Sequence, residues 1–458
     1  MFIKYLILLM IPLIFSLFTF GQINPRWGLI PIGLLVGLVL WEGLRWQLIS
    51  VYVLCIVATI VICTNPALLS RTVINLSATI TLTVLVLLFT YTFPDFQIPK
   101  LTGDYAVGVT DRQVSDADGS DIGLKVWYPA MAVEQAASQP YIADLDRGIL
   151  GVSPVLFSHL RGRDTQTFQN PALSDGSAKY PIIVYSQGAD SFAEDNTFLF
   201  SDLASHGFVV VSVDHPKPIN AYDVDMAELA EAPQATLEAL ARAVFPDRVR
   251  DVEITVAHLA HLNAQDELFK GRLDTDALGA VGYSLGGGVM TEYCALHQHC
   301  RVLGNLDGNP FAEARHTGVQ VPYLHLSQHT FLNLDETDPT NSASAQVAQL
   351  YIDEVSDVVQ HTQNNGASAY WFQVLGSGHA SFTDMALWIQ PRFGPLQSML
   401  GSGDPQALYE VIHNLTRSFL SDTLFNTNSF EATQTQYQAM LQALVSVMGT
   451  LLFTIMSI

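Results

Sequence analysis

Gly282-Tyr283-Ser284-Leu285-Gly286 places a serine between two glycines, each two positions away. An apolar run, 278–281, leads into it. Gly287, Gly288 and a helix-compatible stretch follow. The order is strand, sharp turn, helix, with Ser284 at the apex. Such a turn lifts a hydroxyl clear of a sheet and aims the first helix amides at a reacting carbonyl. The chemistry is nucleophilic attack by serine. A hydroxyl needs a base for this, normally a histidine oriented by a carboxylate. The best-placed histidine is His379, in the Gly-rich segment Leu375-Gly376-Ser377-Gly378-His379 after the apolar run 370–374. His329, just beyond the run 323–326, competes with it. For the carboxylate, Asp307 directly follows the run 302–306, although an aspartate before Gly308 also suits an ordinary turn. Asp335 and Asp338, after the next strand, are the alternatives.

These residues need strands that end near one another. From residue 105 the pattern supplies them. YAVGVTDRQV and IGLKVWYPA alternate apolar and polar positions around the turn-rich SDADGSD, and predict an antiparallel hairpin. Short apolar strands follow at 182–185, 208–213, 278–283, 302–306, 323–326 and 370–374. Helical patterns lie between them at 196–206, 227–243 and 248–262. Such alternation predicts an α/β domain whose mostly parallel sheet is covered on both faces, with ligand chemistry at the carboxyl ends of its strands. Residues 131–179 are irregular and read as a lid or rim over the pocket.

The 458 residues leave room for more than this domain. Residues 1–93 carry only Lys4, Arg26, Glu42, Arg45 and Arg71 as charged side chains. Their apolar runs, 5–20, 29–40, 48–63 and 74–93, approach the ~20 residues that cross a bilayer, and Trp27, Trp41 and Trp46 sit near run ends. The expectation is an all-helical transmembrane region of about four spans, hence an integral, multi-pass membrane protein. Residues 94–103 form a linker, 104–424 the catalytic domain, and 425–458 an apolar tail expected to contact membrane lipid or to pair two copies of the chain. Nearly all the acidic residues lie beyond 93, and the formal net charge is −22. That surface repels phosphate backbones, so nucleic acid is excluded as a partner.

Cys294 and Cys300, six positions apart, are either a disulfide across a helix end and a strand start or two buried thiols. A disulfide would favour an oxidising compartment and so an extracytoplasmic catalytic domain. The intervening His297 and His299 give no trusted zinc spacing.

The segments YPIIVYSQGADSFAEDNTFLFSDLASHGFVVVSVDHP, VGYSLGGG, NLDGNPF and GSGHASFTD stand in this order in the chain. In this it resembles the plasma-type platelet-activating factor acetylhydrolases and their bacterial relatives, from about residue 102 to 424. The resemblance implies an alpha/beta-hydrolase with an eight-stranded sheet. It also implies Ser284 as nucleophile, His379 as base, Asp307 as acid, and the backbone N–H groups of Leu285 and Ala189 as the oxyanion hole. The family usually has histidine at the position of Gln187 and often a bulky apolar residue at that of Ala189. Both changes keep the backbone donor but alter the acyl pocket. The implied reaction is ester hydrolysis on phospholipids with short or oxidised sn-2 chains, with no metal or organic cofactor. The alternatives are a general short-chain carboxylesterase acting on soluble esters and a non-catalytic membrane sensor with a hydrolase-like binding domain.

Overall fold

The computed structural model describes residues 30–42, 48–64, scattered positions between 81 and 96, and residues 98–444 except 116–118, 120, 132–136, 143–156, 158–159, 161–162, 225–231, 331–341 and 391–394. The earliest of these form two helices, α1 (Ile30–Glu42) and α2 (Ile49–Thr64). Their 13 and 16 residues span about 20 and 24 Å at ~1.5 Å per residue, against ~30 Å of hydrocarbon. Among the described residues no helix is long and apolar enough to cross a membrane. This overturns the expected four-span region, and with it the integral multi-pass placement of the catalytic domain in a membrane. The two helices cover nearly all of the runs 29–40 and 48–63. The run 5–20 and most of 74–93 lie outside the described residues.

The hairpin forms as the alternation requires. Strand β1 (Ala106–Ser115) pairs antiparallel with β2 (Asp121–Ala130). The other strands are β3 (Ser138–Pro140), β4 (Asp164–Gln169), β5 (Tyr180–Ser186), β6 (Val209–Asp214), β7 (Leu273–Tyr283), β8 (Cys300–Leu306), β9 (Tyr323–Gln328), β10 (Ala369–Val374) and β11 (Leu441–Ala443). They form one sheet in the order β11-β10-β9-β8-β7-β5-β6-β2-β1-β4-β3. Strands β5 to β10 run parallel. The alpha/beta-hydrolase core is therefore present, with eleven strands among the described residues instead of the expected eight. The three additional strands lie at the edges. Strand β4 escapes an apolar-alternation reading because its buried face is Thr165 and Thr167, whose hydroxyls bond to each other at 2.6 Å.

Nine helices follow the hairpin among the described residues: α3 (Thr197–Ser205), α4 (Pro233–Ala243), α5 (Phe245–Gln265), α6 (Leu285–Leu296), α7 (Ala314–Thr317), α8 (Ser342–Asn364), α9 (Met385–Trp388), α10 (Pro395–Leu400) and α11 (Pro405–Leu424), with α12 (Phe430–Gln436) in the tail. The central strands bury both faces, which is why they read as continuous apolar runs. Ile182 and Val184 of β5 join one core with Val249 and Val252 of α5 and Val289 of α6. Ile183 and Tyr185 join a second core with Leu199 and Leu203 of α3 and Leu415 and Phe419 of α11. A third, smaller cluster brings Tyr141, Phe157 and Leu160 from the rim segment against Phe192, Phe198 and Trp388.

The tail turns back onto the sheet. Phe430 packs on Tyr370 and Phe419, and β11 pairs antiparallel with β10. Residues 445–458, the final part of the segment assigned to lipid contact or pairing, lie outside the described residues.

Candidate active site

Strand β7 delivers Ser284 to the carboxyl edge of the sheet, and α6 begins at the next residue. Ser284 has φ 54° and ψ −126°, a conformation that side-chain-bearing residues rarely adopt. The turn is tight because its flanks are small. A Cβ on Gly286 would stand 2.1 Å from the Ser186 carbonyl oxygen, so only glycine lets α6 start this close to β5.

His379 follows β10 at the start of a short 3₁₀ turn, His379–Phe382. Its Nε2 lies 2.9 Å from Ser284 Oγ, and its Nδ1 lies 2.6 Å from Asp307 Oδ2. Asp307 follows β8 with φ 57°, and its side chain is fully buried. The other oxygen, Oδ1, accepts from the Gln328 backbone N–H at 2.9 Å and the Tyr351 hydroxyl at 3.1 Å. Ionised Asp307 is acceptor-only, so His379 donates from Nδ1, leaving Nε2 to accept the Ser284 proton. The three residues thus form one directed chain from carboxylate to hydroxyl. Tyr283 packs its ring 5.0 Å from that of His379, and burial beside Asp307 and Asp195 pushes its phenol well up.

His329 lies after β9, as the sequence suggested, but its backbone N–H is tied to the Ser377 carbonyl, and burial lowers its pKa. It is the ring of His379 that meets the serine. Asp335 and Asp338 fall outside the described residues.

Leu285 is the first residue of α6, so its N–H is one of those a helix leaves without an internal partner. Ala189 belongs to the loop after β5. That loop presses against the serine: a Cβ on Gly188 would lie 3.2 Å from Ser284 Cβ. Sequence reasoning missed what holds it there. Buried Arg248 of α5 donates to the carbonyls of Gln187 (3.0 Å) and Gly188 (3.3 Å). Burial lowers Arg248 to about 10, so it remains charged at neutral pH. Asp195 accepts from the Gly188 N–H, the Tyr185 hydroxyl (2.8 Å) and the Ser191 hydroxyl (2.6 Å).

Beneath the same loop is a second Ser–His–Asp series. Ser186 Oγ lies 2.9 Å from His215 Nε2, and His215 Nδ1 lies 2.7 Å from Asp251 Oδ2. Ser186 has no solvent exposure and sits within β5, so no substrate reaches its hydroxyl. Burial, with the nearby Arg248, lowers the His215 pKa. This series ties β5 to β6 and α5 under the loop. None of Arg248, Asp195 and His215 carries a local motif; the buried charge of Arg248 shows only once α5 is folded against the sheet.

The loop bearing His379 is fastened to α3. Asp384 accepts from the Tyr141 hydroxyl (2.9 Å) and the Phe198 N–H (3.2 Å), capping α3 from a distant part of the chain. Asn196 donates to the Phe382 carbonyl at 2.9 Å. Burial pushes the Asp384 carboxyl well above the usual carboxylate range, while its bonds from Tyr141 and Phe198 pull the other way. The rim residue Tyr141 thereby joins the histidine loop to the aromatic cluster of Phe192, Phe198 and Trp388.

Cys294 and Cys300 form a disulfide joining the end of α6 to the start of β8. His297, between them, bonds to Glu253 at 2.7 Å.

Residues 90–236 match the family model described as platelet-activating factor acetylhydrolase, isoform II. The chain is 23% identical over 372 residues to the platelet-activating factor acetylhydrolase of Cavia porcellus, covering 73% of this chain and 79% of that protein. The Bos taurus enzyme gives 23% over 371 residues, with the same coverage. Over most of its length the chain is thus similar to that family. A ferulic acid esterase from Streptomyces cinnamoneus has the same fold, with a TM-score of 0.54 at 20% identity, covering 76% of this chain and 99% of that structure. Family and fold together support a carboxylic ester hydrolase.

Proposed function

We propose that the chain is a serine-dependent hydrolase of phospholipids carrying a short or oxidised sn-2 acyl chain. The observation that carries the reading is the directed series Asp307–His379–Ser284, with the serine held at a positive φ. His379 Nε2 takes the proton from Ser284 as Oγ bonds to the ester carbonyl carbon. The carbonyl oxygen becomes an oxyanion, received by the N–H groups of Leu285 and Ala189; losing one such donor typically costs about 10²–10³ in rate. Asp307 stabilises the imidazolium. As the intermediate collapses, the carbon–oxygen bond to the leaving alcohol breaks and His379 protonates that alcohol. Water then attacks the acyl-serine with His379 as base, releasing the acid and restoring Ser284.

The substrate class rests on the similarity to the platelet-activating factor acetylhydrolases. Ala189, with its small side chain, leaves more room beside the acyl group than a bulky residue would. The test compares wild type with Ser284→Ala on sn-2 acetyl, sn-2 butyryl and long-chain phospholipids beside nitrophenyl esters of matching length. Serine-dependent cleavage of the short sn-2 lipids is expected. Cleavage of soluble esters alone would make the chain a general esterase, and equal rates for the two proteins would sink the assignment.

A further inference from the structure

Asp307 is backed by polar side chains that the reaction above leaves without a role. Trp371 Nε1 donates to Ser327 Oγ at 2.7 Å, and Ser327 Oγ lies 3.0 Å from the Tyr351 hydroxyl. His325 lies between two tyrosines, with Nε2 2.7 Å from Tyr351 Oη and Nδ1 2.7 Å from Tyr323 Oη. The Tyr351 hydroxyl reaches Asp307 Oδ1 at 3.1 Å. All five supporting side chains are buried.

The chemistry of the two ends sets the direction of every proton in this series. An indole N–H only donates, and a carboxylate only accepts. The hydroxyl proton of Tyr351 must point at Asp307, because the alternative sets two lone pairs against each other in a buried site. Tyr351 Oη is then left to accept, so His325 donates from Nε2. His325 Nδ1 is bare and accepts from Tyr323. Burial lowers His325 to about 3, which keeps the ring neutral, as this arrangement requires. Ser327, its oxygen occupied by Trp371, turns its own proton to Tyr351. Two donors thus converge on the Tyr351 oxygen and make its hydroxyl a stronger donor toward the carboxylate.

We propose that Tyr351 is a positioning residue for the hydrolytic reaction: held by His325 and Ser327, its hydroxyl fixes the orientation of Asp307 and restrains the basicity that Asp307 confers on His379. The proposal rests on the hydrolase reading of Ser284. Besides His379, the titratable groups facing Asp307 are Tyr351 from α8 and Tyr283 from β7, with Asp195 beyond Tyr283. His325 and Tyr323 of β9 face Tyr351.

The variant Tyr351→Phe removes one oxygen and keeps the ring. Without that donor Asp307 is more basic, binds the imidazolium more tightly and raises the His379 pKa. The acid limb of the kcat/KM profile for nitrophenyl butyrate then moves up by about half to one pH unit, a three- to tenfold loss on the acid side. The full-length protein with ¹⁵N-labelled histidine gives a readout independent of turnover. The His379 ring resonance, assigned by its loss in His379→Gln, titrates at higher pH by the same amount. Ser327→Ala, which weakens the donor from behind, shifts it in the same direction by less, and serves if Tyr351→Phe does not fold. Superposable titrations in the variants and wild type would overturn the proposal, since a purely structural tyrosine lowers the melting temperature without moving a limb. Wild type lacking serine-dependent turnover while the His379 shift persists would instead remove the hydrolase reading and leave the relay standing.

Discussion

Asp195 shows what burial does to a carboxyl that the fold also needs as an acceptor. Enclosure pushes it up to about 7, while its bonds from Ser191, Tyr185 and Gly188 pull the other way. The protonated form therefore stabilises the folded chain. Its contribution is complete below the unfolded carboxyl range near pH 4 and is lost as the pH rises through about 7. Asp195→Asn, which cannot ionise, should gain on wild type by up to about 4 kcal/mol between those limits. Urea unfolding of the two proteins at pH 4.5 and pH 8 measures it: a constant difference would show that Asp195 titrates normally. At this scale Ser284 and His379 were legible because each sits in a run of glycines where a strand must stop. Asp307 was singled out among three aspartates by the resemblance, not by its own surroundings. Arg248, Asp195 and Tyr351 were invisible for a common reason. Each acts on a partner distant in the chain or through a buried hydrogen bond, and nothing beside it in sequence marks it.

Among the elements, α6 does the most to define the site, since its first residues frame the serine and its last turn is fastened through the Cys294–Cys300 bridge. A bridge closing so short a loop removes unfolded-state freedom worth about 2 kcal/mol. The double variant Cys294→Ala, Cys300→Ala should lose about that much stability in urea while keeping ester turnover within about twofold, because Ser284 lies at the opposite end of the helix. A large loss of turnover at full occupancy of the folded state would instead tie the bridge to the serine turn. The parallel strands were readable because burial on both faces writes them as apolar runs. Strands β4 and β11 were not: the first hides threonines inside, and the second is three residues of a tail whose composition suggested lipid. The apolar runs near the start misled for a related reason. Hydrophobicity alone does not register how many consecutive residues a helix keeps, and 13 and 16 fall short of a bilayer.

For the molecule as a whole, the formal charge of −22 bears on encounter more than on folding. Anionic esters meet a repelling surface, which salt screens. Between 10 and 200 mM salt, kcat/KM for a short-chain ester bearing a carboxylate should rise about two- to fivefold, while a neutral ester of equal length stays flat. A matching rise for the neutral ester would point to a salt effect on the protein itself.

The sheet also ends in a telling way. Among the described residues its two outermost strands, β3 and β11, are three residues each, and β3 finishes in Pro140, which has no amide proton to offer. A long flat border would give a neighbouring molecule a template to extend. Here there is scarcely a ledge on which a foreign strand could find its register. At high concentration the folded chain should therefore resist growing into fibres through its broad sheet, and any such growth would first require the tail to peel β11 away and lay bare β10.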